Sequence, residues 1–132
     1  VNNHEEKGSE VEPGLHGLSN GLLNSSWPKV DNGKTRLQAL LKQPEELTTD
    51  ALLAIMGDTS QAEDADLPDT GISIEIERRL SSAFILNSAQ KYGTLCSTAL
   101  IVGKLQPTRF TEQNFDLLGN RTQGHSFLLP PA

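Results

Sequence analysis

The uncharged run that follows Tyr92-Gly93-Thr94 constrains the fold more than any other part of the sequence. Residues 95–102 contain no charged side chain and are mostly apolar or β-branched, which is typical of a β-strand. Side chains alternate along a strand, so four of them share one face: Cys96, Thr98, Leu100 and Val102. A strand without charge needs cover on both faces, so we expect it in the middle of a sheet, with Cys96 as a buried structural thiol.

Further strands are predicted on both sides of this run. Residues 103–107 contain Gly and Pro and indicate a hairpin connection, after which residues 108–112 alternate and should pair back. Residues 124–129 predict a last short strand that ends at two prolines. Near the N-terminus, residues 15–20 indicate a short strand, and Asn20-Gly21 predicts a turn because both residues tolerate positive φ.

Apolar residues with helical spacing predict three helices. The first covers about residues 33–43, preceded by a loop that carries Trp27. The second covers about residues 49–56, because Thr48 can cap its start and Gly57 suits its end. Residues 72–80 fit both an alternating strand and a helix, and their charged centre favours a short helix.

The composition restricts the function classes. The net charge of −6 and the absence of clustered Lys and Arg argue against nucleic acid as a partner. No apolar run approaches the roughly 18–20 residues of a transmembrane helix. One Cys cannot form an internal disulfide, and one Cys with three scattered His lacks the spacing of a zinc site. Residues 58–71 form an acidic loop without the ligand spacing of an EF-hand, so we assign no metal.

Two ordered signatures make the chain resemble the NRDE family. Residues 14–20 (Gly-Leu-His-Gly-Leu-Ser-Asn), followed by Trp27-Pro28-Lys29-Val30 and Gly33-Lys34, resemble the middle of these proteins. Tyr92-Gly93-Thr94 before Ser97-Thr98, and then Phe110-Thr111-Glu112, look like the later signature of the family. The resemblance covers about residues 14–129. The family takes its name from an Asn-Arg-Asp-Glu motif near its N-terminus and is also the transport and Golgi organisation protein family of animals.

The resemblance implies an α+β fold, as part of an αββα sandwich with antiparallel sheets that is similar to the N-terminal-nucleophile hydrolases. It also implies that residues 1–132 are the C-terminal portion of one domain, since the Asn-Arg-Asp-Glu segment does not occur in this sequence. The partner that we then expect is the N-terminal half of the same domain. Val1 has no side-chain heteroatom and cannot be the nucleophile of such a hydrolase.

The function implied by the resemblance is binding or trafficking of an amphipathic anionic metabolite of the haem or acyl-coenzyme-A class. Two alternatives stay open: an amide hydrolase whose Cys lies in the absent half, and a structural fragment with no activity alone. Whether the protein is an enzyme is left open, because this sequence lacks the nucleophile. Haem is the one cofactor under consideration. The expected location is cytoplasmic, with mitochondrial or Golgi association as the eukaryotic alternatives.

The candidate site residues follow from the same resemblance. Asn20 is the catalytic candidate, because an amide at a strand end can stabilise an oxyanion; the alternative is a plain turn residue. The ligand-binding candidates are five: His16, Trp27, Lys29, Tyr92 and Thr94. His16 is either a haem-iron ligand or simply hydrogen-bonded, and Trp27 is either a ligand platform or a packed anchor. Lys29, with Lys34, flanks a helix start where it could meet a phosphate.

At two positions this sequence departs from the family pattern. Leu95 and Gln113 stand where many relatives carry arginine. An arginine at these positions could pair with an anionic group, whereas leucine and glutamine cannot form that ion pair. Their absence weakens both the case for hydrolysis and the case for carboxylate binding. Between the two functions, the loss of charges that a reaction could use favours binding.

Overall fold

The structure is a computed structural model that describes residues 8, 10–87 and 91–131. Its helices precede its sheets along the chain. The helices are α1 (Pro28–Leu41), α2 (Thr49–Met56) and α3 (Ile74–Leu80), with a short 3-10 helix at Asp64–Asp66. The strands are β1 (Leu86–Asn87), β2 (Tyr92–Gly93), β3 (Cys96–Ile101), β4 (Thr108–Phe115) and β5 (Arg121–Leu129), and every strand pairing is antiparallel. The predicted α+β class with antiparallel sheets is confirmed.

Helix α1 begins earlier than the sequence predicted. It starts at Pro28, with Trp27 as its N-cap in an extended conformation. Proline is favourable in the first turn because its missing N–H would have no helical partner there. The prediction that the helix begins near residue 33, with Pro28 still in the loop, is therefore wrong, whereas Trp27 lies before the helix as predicted.

Helix α2 has the predicted bounds and the predicted cap. The Thr48 side chain accepts a hydrogen bond from the Ala51 N–H at 3.2 Å, and Gly57 is the C-cap. The cap satisfies one of the N–H groups that the first turn leaves without a helical partner. This helix therefore has a locally encoded start.

Thr48→Ala is expected to lower the free energy of unfolding by about 1 kcal/mol, because the Ala51 N–H loses its acceptor. Thr48→Ser keeps the hydroxyl and should cost much less. Urea denaturation of both variants measures the difference. Equal losses for alanine and serine would show that the cap does not stabilise α2.

Helix α3 is confirmed as a short helix, and it is tied to the acidic loop. Arg78 Nε and a terminal guanidinium nitrogen donate to the two Asp64 carboxylate oxygens, each at 2.7 Å. This hydrogen bonding, together with the charge of Arg78, lowers the pKa of Asp64. Arg79 pairs with Glu75. The Arg78–Asp64 pair therefore joins the loop to α3, whereas the Arg79–Glu75 pair lies within the helix.

Strands β3, β4 and β5 form a three-stranded sheet in that order. The hairpin between β3 and β4 is confirmed, whereas β5 is longer than predicted. Within the described residues β3 is an edge strand, and Cys96 and Leu100 are exposed. The prediction of a central strand with a buried thiol is therefore wrong for this sheet. Charge along a strand does not reveal how many neighbours the strand has.

One face of the sheet is covered and the other is bare among the described residues. On the covered face Ala99 is buried, and Thr111 Oγ1 donates to Thr49 Oγ1 of α2 at 2.9 Å. On the opposite face the register aligns Leu100, Phe110 and Phe127 across the three strands. Leu100 and Phe127 are 55% and 54% exposed. We call these three residues the apolar row.

The core of the described chain is small. Val30, Phe84 and Ala99 are its buried apolar residues. Phe84 packs edge-on against Phe115, with ring centroids 4.8 Å apart, and its N–H donates to the Asp58 carbonyl at 2.8 Å. Among the described residues, no helix has the length and apolarity needed to cross a membrane.

The second sheet holds the glycine of Tyr92-Gly93-Thr94. Strand β2 pairs with β1, and a Cβ added to Gly93 would lie 2.9 Å from the Ile85 carbonyl oxygen. Main-chain atoms therefore leave no room for a side chain at this position. Thr94 forms two hydrogen bonds with Ile85, the residue before β1. Its N–H donates to the Ile85 carbonyl, and its Oγ1 accepts from the Ile85 N–H, both at 2.9 Å.

Candidate functional site

A cleft of about 480 Å³ has a volume within the range of small-molecule sites. It lies between residues 16–19, helices α1 and α2, and the edge strand β3. Residues 15–18 form no strand, so the predicted short strand is wrong. They lie close to α1, because a Cβ on Gly17 would be 2.6 Å from Val30 Cγ1. The apolar wall comes from both helices and β3: Val30, Leu37, Leu52, Ile55, Met56 and Ala99.

The polar part of the cleft is predominantly cationic. Three basic side chains line it, Lys29, Lys34 and Arg36, against one acidic side chain, Asp58. Arg36 and Asp58 form an ion pair at 3.3 Å. Hydrogen bonds from Ser60, assisted by the charge of Arg36, hold the pKa of Asp58 below its usual value. The cleft is thus locally positive in a chain whose net charge is −6.

Lys29 is the most constrained of the three cations. Its Nζ donates to the Leu80 carbonyl at 2.8 Å and lies 5.8 Å from the centroid of the Trp27 ring. Burial lowers the pKa of Lys29, because partial removal from water disfavours the charged form. An ammonium has three N–H donors, and this hydrogen bond uses one of them.

His16 and Asn24 form a hydrogen-bonded loop at the mouth of the cleft. His16 Nε2 is 2.7 Å from the Glu12 carbonyl, and its Nδ1 is 2.9 Å from Asn24 Nδ2. A carbonyl only accepts, so Nε2 carries the proton and Nδ1 accepts from the Asn24 amide. Asn24 has φ of 61°, and its Oδ1 accepts from the Gly17 N–H at 3.0 Å and from Lys34 Nζ at 3.3 Å.

This arrangement does not suit His16 as an axial ligand of haem iron. Both ring nitrogens are already hydrogen-bonded, so an iron ion would have to displace the Asn24 amide. No cluster of three or more His, Cys, Asp or Glu within the described part of the chain could hold a metal ion.

A smaller cavity of about 150 Å³ lies on the other side of Lys29. It contains two predicted site residues, Asn20 and Trp27, and a residue that the sequence did not single out, Glu77. Glu77 is 8% exposed, and its Oε1 accepts from the Thr70 N–H at 2.7 Å and from Thr70 Oγ1 at 2.6 Å. Lys29 lines this cavity as well as the cleft. We refer to it as the Glu77 cavity.

The remaining predicted residues lie elsewhere. Tyr92 is exposed and lines a third cavity with Ile76 and Arg79. Thr94 lines none of these three cavities and bonds to Ile85 instead. The structure therefore brings together Asn20, Trp27 and Lys29 around the Glu77 cavity, and His16 and Lys29 around the cleft.

Comparison with known proteins places the chain in a family. The model of the family "Transport and Golgi organisation 2" matches residues 1–117, which is most of the sequence. The chain belongs to the transport and Golgi organisation 2 family. The matched region includes the cleft, the Glu77 cavity and β3, whereas β5 lies beyond it.

Curated members of the transport and Golgi organisation 2 family show the same relationship. The chain is 31% identical to the Homo sapiens homolog over 127 residues, which cover 90% of the chain and 46% of the human protein. It is 31% identical to the Bos taurus homolog over 138 aligned positions, covering 97% of the chain and 49% of that protein. The chain is 30% identical to the Mus musculus homolog over 109 residues, which cover 79% of the chain and 40% of that protein. The chain thus spans about half the length of the curated relatives it matches.

Proposed function

We propose that the cleft binds an amphipathic anionic metabolite of the haem or acyl-coenzyme-A class, and that the protein carries this metabolite as a binding or trafficking protein. The observation that carries the proposal is the pairing of an apolar wall with three cations in an acidic chain. Carboxylate or phosphate groups would meet the cations, and the apolar part of the ligand would lie along α2 and β3. The names of the relatives, which refer to transport and Golgi organisation, agree with a trafficking role.

The hydrogen bonds of His16 restrict how haem would bind. A haem held by this cleft would contact Lys34 and Arg36 through its carboxylates and the apolar wall through its macrocycle. His16 would keep its bonds to Glu12 and Asn24. Haem and acyl-coenzyme A would then be recognised by the same chemistry, an anionic head joined to an apolar body.

The proposal extends to the domain. Residues 1–132 would be the C-terminal portion of one αββα sandwich, in which the apolar row packs on a second sheet supplied by the N-terminal portion. Two observations support this arrangement. Leu100 and Phe127 are exposed, and α2 covers only the opposite face of the sheet. The 40–49% coverage of the curated relatives agrees with it.

Titration of the full-length protein with haem and with palmitoyl-coenzyme A tests the binding. Lys34→Met is expected to weaken binding roughly tenfold or more, because a charge-assisted hydrogen bond contributes about 1.5–3 kcal/mol. Lys42→Met is the matched control: it removes the same charge from the exposed C-cap of α1, outside the cleft. It should leave the dissociation constant unchanged.

Two outcomes would contradict the proposal. One is the absence of saturable binding of either compound. The other is an equal loss of affinity in Lys34→Met and Lys42→Met, which would indicate attraction by overall charge rather than recognition in the cleft.

A further inference from the structure

The Glu77 cavity contains a glutamate that is largely buried and uses only one of its two carboxylate oxygens in hydrogen bonds to the described residues. Oε1 accepts two hydrogen bonds from Thr70, whereas Oε2 accepts none from the described residues. Glu77 is 8% exposed and lines the cavity. Every buried side-chain nitrogen or oxygen among the described residues has a hydrogen-bond partner, so Oε2 is accessible to solvent rather than buried, and a cationic donor in the cavity would reach it.

The opposite charge lies on the same cavity without pairing to Glu77. Lys29 lines it, and no ion pair joins Lys29 to Glu77 in the described part of the chain. Lys29 keeps donors beyond the one that it gives to Leu80. Pro28 and Lys29, the first residues of α1, also place the positive end of that helix at the cavity. These features favour a carboxylate at the Lys29 end.

The size and walls of the cavity restrict the ligand further. About 150 Å³ corresponds to roughly five water molecules, so the cavity suits a ligand of about five or six non-hydrogen atoms. Trp27 offers an aromatic face, which also attracts cations, and Asn20 offers an amide.

We propose that the Glu77 cavity binds a small amino-acid-like zwitterion, with its ammonium group on Glu77 and its carboxylate on Lys29 and Asn20. This cavity is distinct from the cleft, although Lys29 lines both, and its assignment does not rest on which ligand the cleft takes. The ammonium binds the Glu77 oxygen that Thr70 does not use, and the ligand carboxylate takes the donors that Lys29 has left. A ligand with only one of the two groups would form only one of these two charge-assisted contacts.

The test is an NMR titration of the full-length protein, followed at the indole N–H resonance of Trp27, which is assigned by its loss in Trp27→Phe. Glycine, the smallest probe with both groups, is expected to shift the resonance saturably in about the millimolar range. Methylammonium and acetate, with one group each, are expected to bind at least tenfold more weakly. A titration in which glycine causes no saturable shift would overturn the site.

Two variants separate the two ends of the site. Glu77→Gln keeps an acceptor for Thr70 and removes the charge, so the affinity for glycine should fall at least tenfold. Its matched control is Glu45→Gln, at an exposed loop position, which should leave the affinity for glycine unchanged. Lys29→Met should weaken glycine but not methylammonium. Equal affinities of glycine and methylammonium for the unmodified protein, or equal effects of the two glutamate variants, would overturn the assignment of a zwitterion.

Discussion

Phe84→Ala is expected to lower the free energy of unfolding by about 3–4 kcal/mol. Phe84 is one of the few buried apolar residues of the described chain, and its ring packs edge-on against Phe115 at 4.8 Å. Removing the ring leaves a cavity between the loop after α3 and the end of β4. Since whole domains are stable by only about 5–15 kcal/mol, this is a large share of the total.

Urea denaturation of the full-length protein measures this effect against Leu105→Ala. Leu105 lies in the connection between β3 and β4 and is 93% exposed, so its truncation should change stability by about 0.5 kcal/mol or less. Similar losses in the two variants would mean that Phe84 is not part of the folded core.

Leu100→Gln combined with Phe127→Gln is expected to lower the free energy of unfolding of the full-length protein by about 4 kcal/mol. Both residues belong to the apolar row, and under the proposed sandwich they are buried by a second sheet. Burial of each side chain would contribute about 2 kcal/mol, and each glutamine would place an unpaired amide in the interface.

The control for this pair is Leu41→Gln. Leu41 is 52% exposed at the end of α1, close to the 55% of Leu100, but it lies outside the apolar row. Its replacement should cost within about 0.5 kcal/mol. If the double variant cost no more than the control, the row would be solvent-facing in the whole protein, and the proposed second sheet would not cover it.

Local signals made the helices largely predictable. Helix α2 has the bounds that its Thr48 cap and Gly57 indicate, because both ends are encoded within a few residues. The start of α1 was missed, because a Trp-Pro pair is compatible with a loop and with an N-cap followed by Pro at the first helical position. Nothing local in the sequence separates those two cases.

The position of β3 was not predictable from its own residues. The alternation correctly grouped Cys96, Thr98 and Leu100 on one face, because that follows from strand geometry. Which face α2 covers, and whether another strand lies beside β3, depend on contacts distant in sequence. Composition indicates what a strand needs as cover, but it does not indicate where that cover is.

Some of the predicted site residues line one cavity, and their roles stay predictions. Asn20, Trp27 and Lys29 were singled out from the sequence and share the Glu77 cavity. The sequence does not single out Glu77, because it lies in a charged run whose other charged members are exposed or half-buried, and nothing in that run marks one glutamate as buried. Its partner Thr70 lies in the preceding loop, so only the folded chain reveals the hydrogen bonds that hold it.

Lys29 lies on the wall between the cleft and the Glu77 cavity, and a single ammonium serves both. Two ligands that both accept a hydrogen bond from the Lys29 ammonium compete for it. Binding in the cleft and binding in the Glu77 cavity are therefore thermodynamically linked. A ligand in the cleft is then expected to raise the dissociation constant of the ligand in the Glu77 cavity. Linkage requires that the second ligand raise the dissociation constant of the first by the same factor.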